Sequence, residues 1–386
     1  MRTIKVGILG TGFSASSHIE ALRRIPNIEI VGVSSRELKK AEQFAAHHHI
    51  PKAYADATEL INDPDIEVIH NCTTNHLHFQ FNKEILLAGK HLMTEKPLAI
   101  NSEQSEELVE LAKKSNVISG ICFNYRFYPL VAQMREDIRT KKHGKANLVY
   151  GGYVQDWCSN VTDYSWRMDK ELNGESRAIA DIGSHWCDTV EHILGKRIVS
   201  VCADLGTVHK VRYKSKDGNT TFSQAKEDTE MVEVPIDTED YGSVLVRFED
   251  NIQGVFTVSQ VSVGRKNNFH FDLVTDQATL AWDQEKPNEL WIGRRDKANE
   301  VLVKDPSLLS ENASKMAHFP GGHQEGWPDG LKNLFLNFYE AVSKNDTQAG
   351  DFATIADGHH IMQIIEAILE SNRTRSWVDI KEEGLR

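Results

Sequence analysis

Long apolar runs are missing from this 386-residue sequence, and no segment approaches the roughly 20 consecutive apolar residues a helix needs to cross a bilayer. Cysteine is scarce as well. The five thiols, Cys72, Cys122, Cys158, Cys187 and Cys202, are odd in number, widely spaced and mostly set in apolar runs, which argues against a disulfide framework or zinc-type pairing and predicts reduced thiols. Positive charge is short: 44 Lys and Arg stand against 56 Asp and Glu, a net charge of −12. Such a surface gains nothing from counterion release, so nucleic acid and anionic membrane are excluded as main partners. There is no internal repeat and no low-complexity linker. Met1–Lys5 leads into a strand pattern without the apolar stretch and cleavage site of a signal peptide, and a cytoplasmic protein is expected. His47, His48 and His49 point in different directions on a helix and read as a solvated face. No metal cluster is evident.

What is present describes an ordinary folded enzyme. Hydrophobic residues make up 40% and charged residues 26%, and the length predicts two domains. Over the first 123 residues short β-branched runs alternate with helical patterns, the rhythm of βαβ units and a parallel sheet: strands at Ile4–Leu9, Ile28–Ser34, Val68–Cys72, His91–Thr94 and Val117–Phe123, and helices at Ser16–Arg24, Leu38–His48, Leu77–Ala88 and Glu103–Ser115. After Tyr125 the runs Asn147–Val154, Val199–Val208, Ser243–Phe248 and Ile252–Val261 predict antiparallel strands, with a hairpin of Phe269–Thr275 and Ala278–Trp282 about Asp276-Gln277. Helices are expected at Leu331–Ser343 and Thr354–Ser371, and an exposed polar loop from Tyr213 to Asp228. The fold class expected is α/β: a doubly wound domain over 1–124, then an α+β domain over 125–386 built on a large, mainly antiparallel sheet.

Between the first strand and first helix lies Gly10-Thr11-Gly12-Phe13-Ser14-Ala15, which fits the dinucleotide fingerprint with Ala in the third small position. Gly10 permits a tight turn, Gly12 leaves room for a pyrophosphate, and the helix N-terminus presents unpaired N–H groups at a positive dipole end. Gly10, Gly12, Phe13, Ser14 and Ala15 are therefore candidate cofactor contacts. The second strand ends in Ser34-Ser35-Arg36, where an NAD-preferring site usually carries an Asp or Glu. Arg36, with Lys39 and Lys40 nearby, suits a ribose phosphate, so the cofactor expected is NADP or NAD, leaning to NADP or dual use.

The run Leu87-Ala88-Gly89-Lys90-His91, then Thr94-Glu95-Lys96-Pro97, together with Thr73-Thr74-Asn75-His76-Leu77-His78, strongly resembles the glucose-fructose oxidoreductase, inositol dehydrogenase and rhizopine-catabolism family. The resemblance extends through Asn124-Tyr125-Arg126-Phe127, Trp166-Arg167, Asp181-Ile182-Gly183-Ser184-His185 with Asp188, and Trp377-Val378-Asp379. It implies a catalytic set of Lys96, Asp181 and His185, with Glu95 toward the nicotinamide and a cis peptide before Pro97. It further implies cofactor contacts from Ser35, Thr73, Asn75, His78, Glu95, Lys96, Asn124, Trp166 and Arg167, and substrate contacts from Lys96, Arg126, Asp181, His185 and His323. A sugar or cyclic polyol is the substrate so implied, and the resemblance also implies a Rossmann domain followed by an open antiparallel sheet whose free face serves a homo-oligomer, dimer or tetramer.

The residues also make chemical sense alone. Asp181 and His185, at i and i+4, share one helical face, while Trp186, Val190 and Ile193 anchor another in the core, where Cys187 also belongs. A hydride leaves an alcohol carbon only as the hydroxyl proton is taken, and an imidazole with an ordinary pKa of about 6.5 suits that task. His185 is thus the candidate base, the Lys96 ammonium the stabiliser of the developing alkoxide, and Asp181 the group that orients hydroxyls and His185. The segment Phe319–Pro328 carries His323, Glu325 and Trp327, a set suited to a polyol ring, although a rigid connector explains its glycines and prolines almost as well. Two rival functions remain: a nucleotide-sensing binding protein without turnover, and an NAD-dependent glycoside hydrolase of the same fold.

Overall fold

The structure is a computed structural model, and it describes residues 2–215, 230–347 and 349–381. By its internal contacts the chain forms two compact units, Met1–Phe127 with Trp327–Met362, and Tyr128–Gly326 with Gln363–Arg386. The first crossing falls three residues after the boundary read at 124. The return of Trp327–Met362 to the first unit differs from the sequence expectation, which kept all of 125–386 together. Its cause is visible in the packing: Phe335 lies edge-on to His18 and His70, with ring centroids 4.7 and 4.9 Å away.

In the first unit the strands are β1 (Ile4–Leu9), β2 (Ile28–Ser34), β3 (Lys52–Tyr54), β4 (Val68–Asn71), β5 (His91–Thr94) and β6 (Ser119–Ile121). The main helices are α1 (Phe13–Arg23), α2 (Leu38–His47), α3 (Ala57–Ile61), α4 (Asn75–Leu87) and α5 (Ser102–Lys114). The six strands are parallel in the order β6-β5-β4-β1-β2-β3, and a two-residue strand, Ala353–Thr354, closes the β6 edge antiparallel. Strand order reverses between β1 and β4, so the crevice beyond their C-terminal ends is where an open sheet of this kind binds a dinucleotide. β3 and α3 are additions to the pattern read from sequence; three and five residues are too few to show a period. Val6, Ile8, Val33, Val68, Ile69 and Leu92, all buried, form the two-sided apolar core that parallel strands require.

In the second unit α6 (Pro129–Arg139) leads into β7 (Ala146–Val154), a short α7 (Lys170–Asn173) and α8 (Ser184–Leu194). There follow β8 (Ile198–Gly206), β9 (Val211–Ser215), β10 (Met231–Pro235), β11 (Tyr241–Phe248), β12 (Gln253–Ser259), β13 (Asn268–Thr275), β14 (Thr279–Asp283), β15 (Glu289–Gly293) and β16 (Glu300–Val303). The large sheet runs β16-β15-β14-β13-β7-β12-β11-β8 and ends with Val378–Asp379. All its ladders are antiparallel except β7 with β12, which pair in parallel, a departure from the strands as read from sequence. Tyr213–Ser215 belong to β9, which pairs with β10, rather than to a loop, and 216–229 lie outside the described residues. The hairpin about Asp276-Gln277 forms as expected.

One face of this sheet buries Phe256, Phe269, Phe271 and Trp282, each large side chain contributing about 1.5–3 kcal/mol. Trp186 of α8 stacks on Phe256 with centroids 4.4 Å apart. The opposite face leaves Leu148, Tyr150, Leu245 and Trp291 exposed. Register places Val301, Trp291, Ala281, Asp272, Tyr150, Val255, Leu245 and Cys202 in one row across eight strands. Among the described residues no helix is long and apolar enough to cross a membrane.

Candidate functional site

The first unit gathers its candidates at the C-terminal ends of β1, β4, β5 and β6. Gly10 has φ of +104°, and a Cβ there would lie 2.6 Å from the Cys72 carbonyl oxygen, so this residue must be glycine for the turn itself. Gly12 differs. Its backbone is extended, at φ −92° and ψ −167°, and a Cβ would meet nothing within 4 Å. The fold does not require glycine there, and the open position leaves room for an anion against the backbone. Gly12 caps α1 without a side-chain hydrogen bond and the first turn carries no acid, which leaves the dipole end suited to an anion. Ala15 is buried, Ser14 half-buried, and the exposed Phe13 ring lies 5.8 Å from that of Trp327.

β2 ends at Ser34, the Ser35 N–H donates to the Tyr54 carbonyl, and Arg36 is exposed beyond it. The nearest acid, Glu37, is paired with Lys40 at 2.6 Å. Thr73 follows β4 and donates its hydroxyl to Asn71 Oδ1 at 2.7 Å, while the buried Asn75 opens α4. Asn124, buried in a short 3-10 turn after β6, has an amide nitrogen with no hydrogen-bond partner in the protein. Buried donors are nearly always satisfied, so this one suits a bound ligand acceptor such as a carboxamide.

Three candidates occupy other places than expected. His78 is fully buried, with Nδ1 2.6 Å from the Pro97 carbonyl and Nε2 3.0 Å from that of Thr73. It braces two loops and has no surface to offer a cofactor. Arg126 is also buried, near the Asp351 carbonyl at 3.4 Å and the Asp357 carboxylate at 3.8 Å, which makes it an anchor for the returning segment rather than a substrate contact. In the second unit Glu325 is turned inward to Lys304 at 2.5 Å and accepts the His318 N–H at 2.9 Å, so it holds its own loop in shape. His323 stays exposed, its carbonyl accepting from Lys304 at 2.9 Å.

Glu95 and Lys96 follow β5, and the Lys96–Pro97 bond is cis as expected. Glu95 Oε1 lies 3.0 Å from His18 Nε2, and Oε2 accepts the Lys96 N–H at 3.2 Å. Burial works to raise the Glu95 carboxyl, but the His18 hydrogen bond and the neighbouring Lys96 charge outweigh it and hold the group down at about 2. Behind His18 stands a cluster that sequence reading missed. His18 Nδ1 is 2.8 Å from His70 Nδ1, and His70 Nε2 is 2.9 Å from the Tyr339 hydroxyl. Cys72 and Cys122 flank His18 at 3.3 and 3.6 Å. His18, Glu95 and Cys122 bring three potential ligand atoms within 4.8 Å of one another, but burial pushes the Cys122 thiol well up and the His18–Glu95 contact is already a hydrogen bond.

The second unit holds Asp181 and His185. A π-helical turn, Ile179–Gly183, carries Asp181 and runs directly into α8, whose second residue is His185. This widened turn replaces the regular helix assumed from sequence, and such turns recur at functional sites. Asp181 Oδ2 accepts from Gln260 Nε2 at 2.9 Å, and Arg167 Nε lies 3.5 Å from Oδ1. Arg167, whose guanidinium also lies 4.7 Å from the Trp166 ring, thus joins the Asp181 cluster. Gln260, fully buried at the end of β12, carried no sequence signal; its Oε1 has no partner in the protein. His185 is buried, its ring centroid 6.2 Å from that of Tyr153. Cys187 is buried too, its thiol pushed well up by desolvation, as suits a packing role. Asp181, Gln260 and Arg167 offer a carboxylate, a carboxamide and a guanidinium, and His185 follows four residues after Asp181 with an imidazole, groups able to take a hydroxyl proton and to orient neighbouring hydroxyls.

Two family profiles match this sequence: one described as oxidoreductase family, NAD-binding Rossmann fold, over residues 4–123, and one described as GFO/IDH/MocA C-terminal domain over 131–281. Levoglucosan dehydrogenase of Pseudarthrobacter phenanthrenivorans is 26% identical over 405 aligned positions covering 99% of each chain. Glucose-6-phosphate 3-dehydrogenase of Bacillus subtilis is 23% identical over 369 positions, 95% of this chain and 96% of that one. A solved levoglucosan dehydrogenase in its apo form superposes with a TM-score of 0.91 at 25% identity, covering both chains completely.

Proposed function

This chain belongs to the GFO/IDH/MocA family of NAD-binding oxidoreductases, and we propose that it oxidises a ring hydroxyl of a sugar or cyclic polyol, or reduces the matching ketone, with NADP or NAD. The observation that carries the cofactor half is Gly12, a glycine whose Cβ position is open and which the fold itself does not need. The orphaned Asn124 amide supports it. Nicotinamide, when bound, takes up or returns the hydride.

This chain's residues supply the rest. His185 accepts the proton of the reacting hydroxyl, and burial keeps competing water from its ring. Lys96 places an ammonium where alkoxide charge develops. Asp181, held by Gln260 and Arg167, accepts from the hydroxyl next to the reacting one. Arg167 and Gln260 are assigned here as orienting groups, and His323 as a contributor to sugar selection. A polyhydroxylated ring suits this density of donors and acceptors, and two of the relatives are named for sugar substrates. For the cofactor, the absence of an acid at the end of β2 and the exposed Arg36 favour acceptance of a 2′-phosphate. The open sheet face with its exposed Leu148, Tyr150, Leu245 and Trp291 is assigned to a second copy of this chain, giving a homo-oligomer.

The test is a panel of anhydrosugars, aldoses and inositols with each cofactor, read by nicotinamide absorbance, in wild type and in Lys96→Ala. The reading expects turnover with at least one compound and a fall in kcat of about a hundredfold or more in the variant. Near-normal kcat in Lys96→Ala would remove the assigned role.

A further inference from the structure

The His18 cluster has a direction, and Glu95 sets it. A carboxylate only accepts, so His18 Nε2 must carry the proton on its 3.0 Å bond to Glu95. In a neutral imidazole that makes His18 Nδ1 the acceptor, and the 2.8 Å contact to His70 Nδ1 then needs the proton on His70. His70 Nε2 becomes an acceptor in its turn and takes the Tyr339 hydroxyl proton at 2.9 Å. Each link obeys one rule: Tyr339 O–H donates to His70, His70 N–H to His18, His18 N–H to Glu95. The protonation states agree with this polarity. Desolvation pushes His70 well down, so it is neutral, and burial pushes the Tyr339 phenol well up, so it keeps its proton. His18 and His70 are fully buried and Tyr339 is 3% exposed, so the links are shielded from bulk water. The Tyr339 ring also lies stacked on His70, 5.9 Å between centroids and 13° between planes, which fixes the last donor in place.

The chain ends at a place that matters. β5 lies on the β4-β5-β6 side of the switch point, opposite the β2 side where Ser35 and Arg36 stand, so the cofactor half beyond β5 is the nicotinamide half. We infer that Tyr339, His70 and His18 are positioning residues that lock Glu95 in its ionised form at the end of β5, so that the site favours the cationic oxidised nicotinamide over the neutral reduced one. The inference rests on the dinucleotide reading of the first unit. The other titratable groups facing Glu95 are Lys96, His78, Cys72 and Cys122, and both thiols are held neutral by burial. Once the His18 bond is weakened, the largest influence left on Glu95 is desolvation, which favours the neutral acid.

The experiment compares dissociation constants for the oxidised and the reduced cofactor in wild type, Tyr339→Phe and Glu95→Gln, from about pH 5.5 to about 8.5, the span over which an ordinary His changes charge. Glu95→Gln should move the ratio toward the reduced form by about tenfold at every pH. Tyr339→Phe, which removes one oxygen remote from the site, should move it the same way by about threefold near pH 6 and recover the wild-type ratio at the alkaline end, as Glu95 ionises again. The wild-type ratio should be flat. Should Tyr339→Phe fail to fold, His18→Gln, whose amide can still donate, should keep the wild-type ratio while His18→Leu loses it. A pH-independent, wild-type ratio in Tyr339→Phe, or equal behaviour of the two His18 variants, overturns the inference. Failure of wild type to bind either cofactor form would instead overturn the dinucleotide reading on which it stands.

Discussion

Replacing Gly10 and Gly12 separately by alanine should damage two different properties, although the two glycines are neighbours in one motif. At Gly10 the residue would be held at φ +104° with its Cβ 2.6 Å from the Cys72 carbonyl oxygen. Left-handed strain alone costs about 1–3 kcal/mol. The overlap adds to it, because the Cys72 backbone cannot retreat without disturbing its N–H bond to Leu9, 2.9 Å long, which ties β4 to β1. At about 2–4 °C per kcal/mol for a unit of this size, Gly10→Ala should lower the melting temperature by about 5–10 °C. At Gly12 the backbone already suits alanine and the Cβ position is open. Stability should therefore stay within about 1 kcal/mol of wild type, because the entropy gained in the unfolded chain and the poorer N-cap oppose each other. Cofactor affinity should fall by at least about tenfold, or 1.4 kcal/mol, because the methyl group takes the space assigned to the pyrophosphate. Calorimetry for melting and fluorescence titration for NADP and NAD together decide the matter. A Gly12→Ala protein that binds cofactor as wild type does would refute the cradle, and one that melts as early as Gly10→Ala would refute the geometry.

Arg36→Asp should shift cofactor preference toward NAD by repelling the 2′-phosphate and accepting from the ribose hydroxyls, and unchanged relative affinities in parallel titrations would show that Arg36 does not read the phosphate. His70 and His78 are both held below the ordinary histidine value of 6.5 by burial, so below that pH the unfolded chain binds protons the folded chain refuses. Stability should accordingly decline as pH falls from about 7 to about 5, and Glu95 should add to the loss only below its ordinary 4.5, toward about 2; a melting temperature flat across the first window would contradict this. Leu245→Arg with Val255→Arg places two charges on the open sheet face; sedimentation should show a smaller species than wild type with both units still folded, and an unchanged mass would move the oligomer interface elsewhere.

How much of this was legible beforehand depends on distance along the chain. The parallel half was readable because its short β-branched and apolar runs alternate with helical patterns: Ile4–Leu9, Ile28–Ser34 and His91–Thr94 fall where their composition puts them. Glycine roles were half legible, since the motif names the pair but only the backbone separates the turn-former Gly10 from the open Gly12. Burial against remote residues left no local trace. Arg126 reads as a substrate contact because Asp357 comes 231 positions on, and the choice between polyol contact and rigid connector stays open at Glu325 because nothing in its segment reveals Lys304. His18 is a lone histidine in an amphipathic helix, whose partners His70 and Glu95 come 52 and 77 residues later. The π-helical turn at Ile179–Gly183 could not be read at all, because its apolar spacing is that of an α-helix start.

Hydride transfer between a ring carbon and nicotinamide leaves an isotopic trace. A sugar or polyol found active in the panel is prepared with deuterium on the carbinol carbon, turned over in ordinary water, and the cofactor is analysed by mass spectrometry. The account predicts one deuterium per molecule of reduced cofactor, matched by one ketone, with both signals lost in His185→Ala. Reduced cofactor that carries only solvent hydrogen, or a cleaved glycoside with no net reduction of cofactor, would contradict it.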